Sequence, residues 1–341
     1  MSTSRLSTRG GRLATVLSVA VVAAIGVSGC SSSGSAATGK VAIVAYSVPK
    51  AAYDALEKGF QGTSAGKGVT FSASYGPSGT QSKAVSQGQP ADYVGLSLQS
   101  DLTKVVPKFV AAGWDSNATK GMVSDSVVVI AVRKGNPLHI TGWDDLIKPG
   151  VRIVTPDPAS SGSAKWNILA AYTHVKADGG TPAQAQAYLT AFFKHVISKP
   201  SSGATATTTF TQGTGDVLIS YEDEAIGARQ KGAAIDYLVP KESILIENPA
   251  AVTITASKAA KDFLAYVLSA AGQQIFASKG FRPAVAGVNP GAVAGANDVA
   301  NPFPQVQTLT TIAQLGGWTS VNKTFFDPTN GIVTKIENSA G

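Results

Sequence analysis

The stretch from Val151 to Asn167, VRIVTPDPASSGSAKWN, constrains the fold of this chain more than any other. A short apolar strand runs into a proline-broken turn, then a Ser/Gly cluster, then a helical pattern that begins near Ala164 and continues through Trp166, Leu169 and Ala170. The first four N–H groups of a helix have no internal acceptor, and its N-terminus carries roughly half a positive charge. Small residues at that point leave a socket in which an anion can meet those N–H groups.

From Lys40 the chain alternates short apolar runs with longer helical patterns, which predicts an α/β fold with a mostly parallel sheet. Strands are expected at Val41–Ala45, Val69–Tyr75, Tyr93–Leu98, Ser126–Arg133, Val151 onward, Val217–Ser220, Glu242–Glu247 and Ala251–Ala256. Helices are expected at Ala51–Phe60, from Ala164 to about Asp178, at Pro182–Ile197 and over Lys258–Ser278, with no clear period after Pro283. Two further βα turns share the chemistry of Ser160–Ala164. Ser78 to Ser82 follows the strand ending at Tyr75, and Ser201 to Thr205 opens a helix through Phe210. None of the three holds an acid, and in open α/β sheets such turns lie where ligands bind, beyond the carboxyl ends of the strands. Each turn also has a plain reading: Ser78 with Gln81 makes a capping box, and Ser161 an N-cap.

The N-terminus bears on location. Arg5, Arg9 and Arg12 precede an apolar run from Leu13 to Val27, and small residues lead to Cys30, the pattern of an exported precursor with a signal peptide over 1–29. About 15 apolar residues are too few for a permanent membrane span. Cys30 is the only cysteine, so no disulfide forms within one copy. Residues 30–39 read as a flexible tether whose nine residues after Cys30 reach roughly 15–18 Å. Removing residues 1–29 takes away three arginines and no acid, lowering the formal charge from +7 to +4. With no Lys/Arg run and no basic helix face, nucleic acid is excluded as a partner. Charged residues are only 14% and hydrophobic ones 44%, enough for two packed lobes.

The segments KPGVRIVTPDPASSGSAKWN, GDVLISYEDEA, KESILIENPAAV and AGQQIFASKGFRP, with RKGNP and WDDLIKPG, closely resemble the bacterial sulfate-binding proteins of ABC transporters, including their mycobacterial lipoprotein form. The likeness runs with gaps from about Lys40 to Asp327, and VSGC resembles a lipobox. The resemblance implies a two-lobed type II periplasmic-binding fold whose chain crosses twice between lobes, one lobe of residues 40–126 plus 250–341 and the other of 127–249. It implies a monomer without a cofactor, lipid-anchored at Cys30 to the outer face of the cytoplasmic membrane, that gives sulfate to an ABC permease and ATPase; no metal is expected either, because His139, His174 and His195 are spread out with no metal spacing and there is one Cys. By the same resemblance the sulfate donors are Ser78, Ser161, Gly162 and Ser163, a backbone N–H at Gly203 or Ala204, and Tyr221. Two positions depart from the family pattern: Ser163 replaces a glycine, and Tyr221 replaces a tryptophan, exchanging a donor-only indole for a hydroxyl that also accepts. In place of the Asp-Pro-Thr-Arg often found in the family's first loop stands Ser47-Val48-Pro49-Lys50.

Elementary chemistry leads to the same ligand class. Sulfate is fully deprotonated at neutral pH, so donors alone suit it, whereas phosphate keeps a proton that needs an acceptor. A site without one leaves that O–H unpaired at about 1–3 kcal/mol. Thiosulfate and molybdate remain open by this argument, as does phosphate if the Tyr221 hydroxyl or Asp157 accepts. Glu222-Asp223-Glu224 reads either as a catalytic carboxylate cluster or as first-turn acids that suit a helix dipole. Lys165 is either a distant attractor of the anion or a solvated first-turn residue. The rival class is an exported serine enzyme, because Ser47-x-x-Lys50 matches S-x-x-K; no K-T-G follows and no G-x-S-x-G exists, so no enzyme activity is expected.

Overall fold

Alternating and continuous apolar runs set the strands, and the computed structural model, which describes residues 39–340, joins them in one path. The first half of the chain gives β1 (Lys40–Tyr46), α1 (Lys50–Gln61), β2 (Thr70–Gly76), α2 (Ser78–Ser86), β3 (Tyr93–Gly95) and the one-turn α3 (Gln99–Leu102). Then come β4 (Met122–Arg133), β5 (Ile153–Val154), α4 (Gly162–Ala177), α5 (Pro182–His195), β6 (Val196–Ser198) and α6 (Gly203–Thr211). They are followed by β7 (Val217–Tyr221), α7 (Glu222–Gln230), β8 (Ile235–Leu238), β9 (Glu242–Val252), α8 (Lys258–Val267) and α9 (Ala270–Ser278). The chain ends with β10 (Thr308–Thr310), α10 (Gly317–Phe325) and α11 (Ile332–Ala340). Cys30 and the signal segment lie outside the described residues.

The strand order is β2-β1-β3-β9-β4-β7-β5-β6, with β10 on β9 and β8 on β4. Within it β1 runs parallel to β2 and β3, and β5 parallel to β6 and β7. The two long strands tie these groups together. Antiparallel β4 meets β9 over Met122–Val127 and then β7 and β8 over Val128–Arg133, while the end of β9 turns to β3. Each half therefore has its own core. Leu56, Phe60, Phe263 and Phe276 pack under β1, and Trp166, Leu169 and Phe192 pack under β4 and β7.

Several elements differ from the sequence reading. The two extended segments around Pro249 are one strand, because Pro249 needs no N–H where it faces Met122 beside a register shift of the ladder. The helical region 258–278 breaks at Ser269, which caps α9 by accepting from Gly272 N–H. Beyond Pro283 the chain is structured. Val293 and Ala296 pack beside Ala225 and Ile226 of α7, and Ile312, Trp318, Val321, Phe325, Val333 and Ile336 pack on the core of α4 and α5. The tail from Ile312 to Ile336 thus shares the core of α4, α5, β4 and β7.

Candidate anion-binding site

Four helix N-termini follow strand ends or strand-like turns: those of α2, α4, α6 and α7. The structure brings them to one place between the halves. Gly79 N–H of α2 donates to Ser160 O at 3.3 Å, Ser160 Oγ donates to Ser201 O at 2.8 Å, and Asp157 N–H donates to Pro200 O at 2.8 Å. Asp157 shapes the loop before α4, its carbonyl accepting from Ser160 and Ser161 N–H and its carboxylate from Ala159 N–H.

The close approach explains the glycines. A Cβ on Gly162 would fall 2.6 Å from Ser97 Oγ, and one on Gly203 would fall 2.7 Å from Ser163 Oγ, 2.8 Å from Glu224 Oε2 and 3.0 Å from Val48 Cγ2. Gly162 and Ser163 open α4, and Gly203 and Ala204 open α6, so their N–H groups have no acceptor within their own helices. Ser161 occupies the N-cap position of α4 without a side-chain capping bond, so its hydroxyl is not consumed by the helix. Ser202, in contrast, caps α6 by accepting from Thr205 N–H.

Ser78 is placed differently from a capping-box residue. It is the first residue of α2, Gln81 N–H goes to Pro77 O, and the Gln81 amide goes to Ala45 O and Ser74 Oγ. Ser78 Oγ donates to Asp101 Oδ2 at 2.7 Å and accepts from Ser97 N–H at 3.1 Å. Its hydroxyl proton is thus committed, as are the N–H groups of Gly79, to Ser160 O, and of Gln81, to Pro77 O. Tyr221 ends β7 at the N-cap of α7, and its hydroxyl pairs with Ser97 Oγ at 2.8 Å across the halves. Burial holds the Tyr221 phenol well above its usual range, so it stays protonated. Trp166 Nε1 and Asn248 Nδ2 both donate to Ser97 O. Ser97, Asp101 and Asn248 were absent from the sequence reading of the site and no site motif marks them, while Trp166 stood within the stretch 151–167 as a helix residue and not as a site residue.

The acids of α7 are buried, not solvated. Glu222 is fully buried and pairs with Arg282, Nε to Oε2 at 2.7 Å. Asp223 is pushed far up by burial, and Glu224 up to about 7 by the same cause. Glu224 Oε2 accepts from Ser220 Oγ at 2.8 Å. Lys165 turns away from the loops, donating to Asn322 Oδ1 at 2.9 Å and lying over the Phe326 ring. In the S-x-x-K segment, the Lys50 ammonium is bound to Asp54 at 2.6 Å.

The family description "Bacterial extracellular solute-binding protein" matches residues 41–282. A sulfate-binding protein of Synechococcus elongatus is 38% identical over 336 residues, 95% of this chain and 94% of that protein. The chain belongs to this family. It is also 33% identical to a thiosulfate-binding protein of Pseudomonas aeruginosa, over 83% of this chain and 88% of the relative. Among solved structures, the sulfate-binding protein SubI from Mycobacterium tuberculosis H37Rv superimposes with a TM-score of 0.79 at 40% identity, covering 85% of this chain and all of SubI. The two-lobed solute-binding fold and the absence of an enzymatic family follow from these likenesses, and members of an extracellular family act outside the cytoplasm.

Proposed function

We propose that this chain captures sulfate between its lobes with uncharged donors and delivers it to an ABC permease and ATPase. One observation carries the reading: the first turns of α4 and α6 meet at Ser163 and Gly203, where a Cβ would already collide, so their unpaired N–H groups converge without a lysine or arginine among the loop residues. Uncharged, fixed donors suit an anion that carries no proton. Ser161, Gly162, Ser163, Gly203 and Ala204 hold the ion in this reading, with Tyr221 lying over it from β7 and α2 presenting the N–H groups of Ser78 and Thr80, those of Gly79 and Gln81 being committed elsewhere. Binding draws the lobes together about β4 and β9, the two strands that pass between them. The second lobe spans about 127–249 and includes the tail helices α10 and α11, and the first is built from 40–126 and the segment after 250 through α9. The chain acts as a monomer, anchored by lipid at Cys30 on the outer face of the cytoplasmic membrane.

Calorimetry with sulfate, thiosulfate, molybdate and phosphate in an anion-poor buffer tests the ligand. One-to-one sulfate binding with no phosphate heat is expected. Gly162→Val, which drives a side chain into Ser97, should weaken sulfate at least about tenfold, or about 1.4 kcal/mol. Heat with thiosulfate and none with sulfate would reassign the ligand, and unchanged affinity in Gly162→Val would reject the site.

A further inference from the structure

Several buried polar groups lack partners among the described residues, Tyr46 OH, Ser126 Oγ, Thr207 Oγ1 and Asp223 Oδ1 among them. Tyr46 and Asp223 are 3% exposed, and Ser126 is fully buried. Thr207 and Asp223 line an open cavity of about 840 Å³, together with Val48, Ala204 and Glu224. Of the two acids in this lining beside α6, it is Glu224 that reaches the donor loops, its Oε2 standing 2.8 Å from where a Cβ on Gly203 would lie, beside Ser163 Oγ and Val48 Cγ2. Resting on the proposed function, we infer that Glu224 is a specificity-determining residue of the anion pocket: kept neutral it lets uncharged donors hold a dianion, and once ionised it turns dianions away.

The charge surroundings support a group that can switch. From its own helix Glu224 faces Asp223 and Glu222, the latter paired with Arg282, and Lys231 beyond the helix end. Ser220 and Tyr221 face it from β7, Thr207 from α6, Ser163 from α4 and Tyr46 from β1. Across the cavity stand Lys50 with its partner Asp54, and Lys279. Lys231 is the sole cation among the groups that shift its carboxyl, and burial outweighs it, which puts ionisation at about 7. Asp223 is pushed much further up and stays protonated across the same range. A dianion held at Gly203 raises the Glu224 carboxyl again, so binding at higher pH takes up one proton, and affinity falls as pH rises through the value of the free protein.

The test is calorimetric sulfate titration of the wild-type protein, Glu224→Gln and Asp223→Asn from pH 6 to 9. In the wild type Kd should rise by about tenfold per pH unit above the ionisation of Glu224. Glu224→Gln, an isosteric amide that can keep the Ser220 bond, should bind sulfate with a flat profile, while Asp223→Asn should keep the slope. Wild-type titrations at pH 8 in buffers of different ionisation enthalpy should show uptake of one proton, an observation that needs no variant. A flat wild-type profile, or a slope retained in Glu224→Gln, would overturn the role of Glu224 while leaving sulfate capture standing. No sulfate binding at any pH would overturn both.

Discussion

Ser78 Oγ lies between a carboxylate and an amide, both buried, and this decides what the residue can do. It gives its single proton to Asp101 and receives that of Ser97 N–H, which fixes the residue whose side chain reaches Tyr221 and whose carbonyl holds Trp166 and Asn248. Asp101 keeps Lys104 as a second partner at 2.7 Å, so Ser78→Ala leaves chiefly the Ser97 N–H bare. The expected cost is about 1–3 kcal/mol of folding stability in the ligand-free protein, read from urea unfolding. If stability is unchanged and sulfate affinity alone falls, the hydroxyl serves the ligand and its bond to Asp101 gives way on binding.

At the scale of elements, the pattern of the sequence was a good guide wherever local chemistry sets the outcome. The turn at Ser160–Ala164 opens α4 as its small residues require, and the turn at Ser201–Thr205 opens α6 with Ser202 as the cap. What the sequence hid depends on distant contact. Ser97 follows β3 in a run with no motif, and only the packing of α4 and β7 against it makes it a junction. The trio Glu222–Glu224 looks like dipole-serving acids of an exposed helix, yet α7 follows a wholly buried strand and lies under the segment carrying Arg282. The tail after Pro283 shows weak periodicity because its helices are nine residues long and bury only a few anchors each. One of those anchors is Trp318, whose ring meets Trp166 edge-on with centroids 4.9 Å apart. Trp318→Ala should cost about 3–5 kcal/mol in urea unfolding. A loss below 1 kcal/mol would mean that α10 is dispensable to the core beneath it.

The whole molecule carries more raised carboxyls than lowered ones near neutrality, and this fixes how its stability answers pH. Burial raises seven carboxyls, those of Glu57, Asp125, Glu222, Asp223, Glu224, Glu242 and Glu247; Asp125 and Glu224 reach about 7, and Asp125 faces Glu247 across the β4–β9 ladder. Such groups bind protons more tightly in the folded chain, so their stabilisation is complete below the unfolded carboxyl range and is lost as pH rises toward 7. Asp145, Asp216 and Asp236, held low by hydrogen bonds from Thr141 and Lys148, from Arg152, and from Lys134 and Gly135, act in the opposite sense, but only as pH falls below about 4. His174, lowered by burial, also favours higher pH, one imidazole against these seven carboxyls. Stability of the ligand-free protein should therefore peak near pH 4–5 and decline toward pH 8, each carboxyl that titrates at about 7 contributing about 1.4 kcal/mol per pH unit between its unfolded and folded values. Urea midpoints at pH 5 and pH 8 measure this directly. A midpoint that is higher at pH 8 would mean that Asp125 and Glu224 are ionised in the fold, and the dianion pocket would then stand beside a permanent negative charge.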